Sequence, residues 1–152
     1  MDYNREFIHY GSDKFDKDHI YKIKDYPISV NKPPFGLWAT PVDVKFGWKD
    51  WCESEDYNTD RLNKSFRFKI KEGSKIAYVG DIKDMTKYPA TYLDPIIDKY
   101  MLRMDWNYDW DIICKEYDAF FLDLDLYSIH YLFNAYDVKS IVVFNNDIVI
   151  PL

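Results

Sequence analysis

Alternation of apolar and polar side chains predicts several short β-strands along the chain. The clearest is the segment 65–70, Ser-Phe-Arg-Phe-Lys-Ile, in which every second residue is apolar, as expected for a strand with one buried face. The segment 118–124, Asp-Ala-Phe-Phe-Leu-Asp-Leu, is apolar through its centre and predicts a strand that is buried on much of both faces. Further strands are predicted at 6–10, 35–39, 75–79, 140–145 and 148–150.

Apolar residues at helical spacing predict helices between these strands. The segment 41–55 has this spacing; Thr40 is expected to be its N-cap, and Pro41 suits its first helical position. Further helices are predicted at 94–104, 109–116 and 128–135. Because strands and helices do not alternate regularly, the pattern indicates an α+β fold rather than a doubly wound sheet. No repeat or Gly/Ser linker divides the chain, so we expect a single domain over residues 1–152.

The composition narrows the class of protein without identifying it. The chain has 152 residues, of which 47% are hydrophobic and 30% charged, so it is long enough to bury a core and too apolar to be disordered. It has no apolar run of roughly 18 residues and does not begin with a basic region followed by an apolar one, which predicts a cytoplasmic protein without a membrane partner. Cys52, Cys114 and the three histidines show no ligand spacing, so no metal site is expected.

The charge distribution argues against nucleic acid as a partner. Residues 76–152 carry 6 Lys and Arg side chains against 13 Asp and Glu, and the whole chain has a net charge of −6. Proteins bind a phosphate backbone through clustered Lys and Arg side chains, so nucleic-acid binding is not expected. The abundance of Lys, Asn, Ile, Tyr and Asp is typical of an AT-rich genome and predicts a phage or low-GC bacterial source.

Four short segments, in their order along the chain, resemble the ADP-ribosyltransferases. Residues 8–12, Ile-His-Tyr-Gly-Ser, resemble the first strand of that family, where a His-Gly-Ser/Thr motif binds NAD. Residues 36–40, Gly-Leu-Trp-Ala-Thr, resemble the family's Gly-Leu-Tyr-Phe-Ser strand. Residues 117–121 and 140–148 are similar to its closing strands. The resemblance implies a split β-sheet with flanking helices and a mono-ADP-ribosyltransferase activity that uses NAD.

The resemblance also implies which residues bind NAD. Gly11 would approach the nicotinamide carboxamide through its backbone, because no side chain blocks it. Trp38 would stack on the nicotinamide ring, and Ser12 and Thr40 would lie beside these two residues in the binding motifs. NAD would then occupy the cleft between the first two strands, with His9 or Tyr10 at the ribose.

The catalytic residues depart from the family pattern at two positions. Tyr10 separates His9 from Gly11, so either Tyr10 occupies the histidine position or the strand bulges by one residue and His9 keeps the role. Ser140 lies where the family has its catalytic glutamate, and a serine supplies no negative charge for a cationic transition state. Either the substrate assists the reaction, as in some members of the family that lack this acid, or another carboxylate of the chain replaces it.

The acids nearest to the other motifs are the candidates for this replacement. Glu53 and Glu55 follow the second motif, whereas Asp123 and Asp125 follow a late strand. We expect a role for Glu53 or Asp125 in particular. The resemblance implies an ADP-ribosyltransferase-like protein that acts on a protein target, and we expect an origin in phage or bacterial defence or counter-defence. The alternative is a catalytically degenerate fold that binds a nucleotide ligand or inhibits a partner protein.

Overall fold

A computed structural model describes residues 1–22, 31–92, 106–124 and 136–152. The strands of these ranges are β1 (Phe7–Tyr10), β2 (Leu37–Pro41), β3 (Ser65–Ile70), β4 (Ile76–Val79), β5 (Ala90–Tyr92), β6 (Trp106–Tyr108), β7 (Ala119–Leu122), β8 (Ser140–Val143) and β9 (Val149–Pro151). Their α-helices are α1 (Trp48–Glu55) and α2 (Trp110–Glu116). Short 3-10 helices span Thr59–Arg61, Ile82–Lys87 and Asn146–Ile148.

Seven of the strands form one mixed sheet. Their order across the sheet is β4-β7-β8-β2-β1-β3-β9, and β5 pairs with β6 in a separate two-stranded sheet. Strands β4 and β7 are parallel, whereas the other neighbours in the large sheet are antiparallel. The protein therefore has the mixed α+β architecture that the sequence predicts. Strands β8, β2 and β1, which contain parts of the segments resembling ADP-ribosyltransferases, are immediate neighbours at its centre.

The two faces of the sheet carry separate apolar clusters. Side chains alternate between the faces along each strand, so adjacent residues of β7 belong to different clusters. One cluster includes Phe7, Leu37, Phe68, Phe121 and Ile141. The other includes Ala77, Tyr108, Ile113, Phe120 and Leu122. Because α2 supplies Ile113, it covers the second face.

The predicted strand at 65–70 and the predicted helix at 109–116 are confirmed. Strand β3 spans Ser65–Ile70, with Phe66, Phe68 and Ile70 buried as the alternation requires. Helix α2 begins at Trp110, and the Asp109 carboxylate accepts a hydrogen bond from the Ile112 N–H at 3.2 Å. An acidic N-cap satisfies an otherwise unpaired backbone donor and favours the positive end of the helix dipole.

The predicted start of the helix at 41–55 is wrong. Thr40 and Pro41 belong to β2, where they pair with Ile8 and Phe7, and the helix begins at Trp48. The Thr40 hydroxyl donates to the Lys139 carbonyl oxygen at 3.0 Å instead of capping a helix. Thr-Pro fits a helix start by local preference, but here pairing with β1 keeps both residues extended.

Two other predicted helices, at 94–104 and 128–135, lie outside the described residues. Strands β5 and β6 and the 3-10 helix at Ile82–Lys87 were not among the predictions. The start of that 3-10 helix depends on the Asp84 carboxylate, which accepts hydrogen bonds from the backbone N–H groups of Gly80 and Asp81 at 3.1 and 3.0 Å. Within the described ranges, no helix has the length and apolar character needed to cross a membrane.

Candidate ligand-binding site

A cavity of about 280 Å³ opens on the face of the sheet that carries Tyr10. Strands β1, β2 and β8 contribute to its lining, which includes Ile8, Tyr10, Trp38, Thr40 and Ser140. Aromatic and basic side chains from other segments complete it, among them Lys32, Trp48, Tyr57, Arg61 and Tyr136. The cavity therefore combines large apolar rings with a few charged groups, as small-molecule sites commonly do.

The His9 ring occupies the place where β1 and β2 separate. Regular pairing of the two strands ends at Ile8 and Thr40. Beyond that point, Nδ1 of His9 lies 2.7 Å from the Trp38 carbonyl oxygen and donates to it, since a carbonyl can only accept. The imidazole also packs against Phe66, with ring centroids 5.1 Å apart. Burial lowers the pKa of His9, so the ring is neutral at pH 7.

Tyr10 projects to the opposite side of β1 from His9. Successive residues of a strand point to opposite faces, and Tyr10 shares its face with Ile8. Burial raises the pKa of the Tyr10 hydroxyl, and the nearby Asp50 carboxylate adds to this effect. The hydroxyl is therefore protonated at neutral pH and available as a hydrogen-bond donor. Both His9 and Tyr10 border the cavity, but Nδ1 of His9 is engaged by the Trp38 carbonyl oxygen. Of the two alternatives for the first motif, this geometry favours Tyr10 as the residue that contacts a ligand.

A cation and an aromatic ring pack against the Trp38 indole. The Lys32 ammonium lies 4.5 Å from the Trp38 ring centroid, and the Tyr136 ring centroid lies 5.2 Å away. Burial lowers the pKa of Lys32, while the negative charge of Asp137 opposes that shift. Within the described residues, the buried Trp38 Nε1 has no hydrogen-bond partner. The indole is thus a preformed binding surface for a positively charged group.

The other predicted NAD-binding residues have separate local roles. Gly11 has a φ of +111° and its N–H donates to the Lys64 carbonyl oxygen at 2.8 Å. The Ser12 hydroxyl donates to the Lys14 carbonyl oxygen at 3.1 Å. Neither Gly11 nor Ser12 lines the cavity, whereas Trp38 and Thr40 do. The structure therefore brings two of the four predicted binding residues together at this cavity.

The acids proposed from the sequence are placed away from the cavity or outside the described residues. Glu53 is exposed on α1, 3.8 Å from Lys49, and does not line the cavity. Asp125 lies outside the described residues, so its prediction stays untested. Asp123 is bound by Arg5 at 2.6 Å and by Lys139 at 3.1 Å, which gives it a role in holding strands together.

Asp137 is an acid of the cavity that was not predicted from the sequence. It lines the cavity together with Ser140, which follows it by three residues. The Ser140 hydroxyl is itself buried and donates to the Val138 carbonyl oxygen at 2.9 Å. Asp137 precedes β8 in a Tyr-Asp-Val-Lys segment, which has no motif or periodicity that indicates a site. The one available sequence signal was its closeness to the position where the family has glutamate.

A second, smaller cavity adjoins the first on the same face of the sheet. Its volume is about 210 Å³. Ile8, Tyr10, Thr40 and Trp48 line both cavities, so Tyr10 stands between them. Arg67 and Asp50 belong to the lining of the second cavity only. The two cavities are therefore neighbours that share part of their lining.

Comparison with known proteins gives no family assignment for this chain. No family model, curated protein or solved structure matches it. Within the ranges that the structure describes, no three His, Cys, Asp or Glu side chains form a group that could hold a metal ion.

Proposed function

We propose that the protein binds NAD in the cavity beside Trp38 and acts as an ADP-ribosyltransferase-like enzyme. The observation that carries this proposal is the convergence of three strands. The segments that resemble the family's first, second and last strands are far apart in sequence, yet they include the neighbouring strands β1, β2 and β8. Tyr10, Trp38 and Ser140 from these strands line one cavity.

The size of the cavity suits one half of the dinucleotide. Ligand cavities commonly measure about 300–1,000 Å³, and the cavity of about 280 Å³ lies just below that range. It is therefore matched to a nicotinamide ring with its ribose rather than to the whole molecule. The remaining phosphates and nucleoside would extend past Tyr10 into the second cavity, where Arg67 supplies a positive charge.

The position of Lys32 fits a cationic ring as the ligand. The Lys32 ammonium occupies a cation–π site on Trp38. The nicotinamide ring of NAD is a cation, so it can take the place of the ammonium on the indole. Lys32 then becomes available to pair with a phosphate of the same ligand, because its four-carbon side chain is flexible.

Cleavage of NAD needs accurate placement more than an activated nucleophile. When the bond between ribose and nicotinamide breaks, positive charge develops on the ribose while the nicotinamide becomes neutral. Fixed aromatic and polar groups that hold the two fragments in place reduce the entropic cost of this step. The Tyr10 hydroxyl, which is protonated at neutral pH, would donate a hydrogen bond to a ribose oxygen.

The proposal is tested by NAD titration and by following release of nicotinamide. Replacing Trp38→Leu removes a stacking interaction worth about 1–3 kcal/mol, so the Kd for NAD should rise roughly fivefold to 150-fold. Trp51→Leu is the matched control, because Trp51 stacks on Trp48 without lining the cavity. Both variants are measured by calorimetry after circular dichroism has shown them to be folded. If the unmodified protein neither binds NAD nor releases nicotinamide, the proposal is wrong.

A second candidate function is ligand binding without turnover. Ser140 favours it, because its buried hydroxyl is engaged by the Val138 carbonyl and provides no carboxylate at the family's catalytic position. A degenerate protein of this kind would sequester a nucleotide or block a protein partner. Mass spectrometry distinguishes the two functions: binding of NAD without nicotinamide release supports the binding module, and addition of ADP-ribose to a protein target supports the enzyme.

A further inference from the structure

Asp137, Asp50 and Asp123 differ in whether they line the main cavity, which is the cavity of about 280 Å³ beside Trp38. Asp137 lines it, and its side chain is partly exposed. Asp50 lines the second cavity only, and its carboxylate accepts a hydrogen bond from the Gly47 N–H at 2.8 Å. Asp123 is held by Arg5 at 2.6 Å. Within the described part of the chain, Asp137 is thus the carboxylate that borders the main cavity.

Buried neighbours hold the backbone of Asp137 on both sides. Tyr136 is 1% exposed and packs against Trp38 and Phe120, with ring centroids 5.2 and 6.3 Å away. Val138 is 4% exposed, and its carbonyl oxygen accepts the hydrogen bond from the Ser140 hydroxyl. Packing on both sides limits the positions that the carboxylate can take, which is what electrostatic stabilisation of a transition state requires.

Asp137 also lies within electrostatic reach of the cation on Trp38. Its negative charge favours the protonated form of Lys32, against the effect of burial on the lysine pKa. The same indole carries the Lys32 ammonium at 4.5 Å. A positive charge bound at this end of the cavity therefore interacts favourably with both the Trp38 ring and the Asp137 carboxylate.

We infer that Asp137 is the catalytic carboxylate of this protein, replacing the glutamate that is absent at Ser140. This inference rests on the proposed cleavage of NAD. The bond between ribose C1′ and the nicotinamide ring nitrogen breaks, and its electron pair leaves with the nicotinamide. The Asp137 carboxylate stabilises the resulting ribose cation. A water molecule, or a nucleophile of the target protein, adds to C1′, and its proton passes to Asp137 and then to solvent.

The test separates turnover from binding in matched variants. Asp137→Asn keeps the shape of the side chain and removes its charge, so kcat for nicotinamide release should fall about 10²–10³-fold, as when a preorganised electrostatic group is lost. The Kd for NAD, measured by calorimetry, should rise by a smaller factor than kcat falls, because the carboxylate also interacts with the cationic nicotinamide of bound NAD but more strongly with the ribose cation. Asp111→Asn is the control, since it removes an exposed carboxylate of α2 that does not line the cavity. It should keep both values.

Asp137→Glu provides the second measurement. This variant retains the charge, so it should release nicotinamide faster than Asp137→Asn. If Asp137→Asn does not fold, the rate of Asp137→Glu relative to the unmodified protein still tests the role of the carboxylate. Equal loss of kcat in the two variants, or unchanged kcat in Asp137→Asn, overturns the role of Asp137 while the NAD proposal stands. An unmodified protein that binds NAD without releasing nicotinamide overturns the proposed turnover together with the catalytic role of Asp137, and leaves only the proposed binding of NAD. An unmodified protein that does neither overturns the proposed function and this inference together.

Discussion

Removal of the Asp123 charge should destabilise the fold substantially. Asp123 follows β7 directly, and its carboxylate is bound by three groups from separate segments. Arg5 lies 2.6 Å away, the Lys139 ammonium 3.1 Å, and the Tyr78 hydroxyl donates at 3.1 Å. These contacts connect the segment before β1 with β4, the end of β7 and the start of β8. Asp123→Asn keeps the size of the side chain but weakens all three interactions.

The expected magnitude follows from burial. The side chains of Arg5 and Asp123 are 17% and 12% exposed, so their pair is largely protected from water. Loss of one partner from a fully buried ion pair costs about 3–5 kcal/mol, and the residual exposure here lowers the expected cost to about 2–3 kcal/mol. A change of 1 kcal/mol lowers the melting temperature of a domain this long by about 2–4 °C. The melting temperature should therefore fall by roughly 5–10 °C.

Urea unfolding at pH 7 provides the measurement, with Asp43→Asn as the control. Asp43 also pairs with Arg5, at 2.9 Å, but its side chain is 63% exposed. Exposed ion pairs contribute about 0–1 kcal/mol, so the control should lose less than half as much stability as Asp123→Asn. Equal losses in the two variants would refute the argument that burial sets the strength of this network.

Two further predictions concern β1 and the start of β2. Gly36→Ala should destabilise the protein far more than Gly11→Ala in the same urea assay. Both glycines have a positive φ, at +135° and +111°, but a Cβ at Gly36 would clash with Cγ1 of Val142, whereas one at Gly11 meets nothing within 4 Å. Similar losses in the two variants would show that backbone strain alone decides. The pKa of His9 is lower in the folded protein than in the unfolded chain, so the unfolded chain takes up the imidazole proton at a higher pH. The stability that the neutral His9 ring contributes is therefore complete above about pH 6.5 and falls as the pH drops toward the folded-state pKa. Unfolding free energies from pH 8 to 5 should therefore decrease more steeply for the unmodified protein than for His9→Gln, and parallel curves would contradict this.

The candidate site was partly accessible from sequence because its strands carry short family-like segments. Those segments identified Trp38 and the pair His9 and Tyr10, but they left the orientation of the pair open. The choice depends on where the pairing of β1 with β2 ends, after Ile8 and Thr40. A strand's alternation shows that neighbours face opposite sides, but only the contacts of the sheet decide which side meets the cavity.

No comparable sequence motif predicted the charged residues of the candidate site. Lys32 lies before β2 and Asp137 before β8, in segments without regular periodicity, and Arg61 ends a short 3-10 helix. They reach one cavity because β2 lies between β1 and β8 in the sheet. Non-local pairing of this kind is set by the packing of the whole chain, which no local pattern encodes.

The sequence alone determined those strands and helices for which a single local conformational preference dominates. The alternation of β3 allows one buried face, and Asp109 followed by apolar residues at helical spacing determines the start of α2. Where two local preferences compete, as in the Thr-Pro pair at 40–41, tertiary pairing decided that the segment is a strand. Tertiary structure also decided which acid borders the cavity, because the position of a carboxylate near a ligand depends on the strands that pack around it and not on its own sequence neighbours.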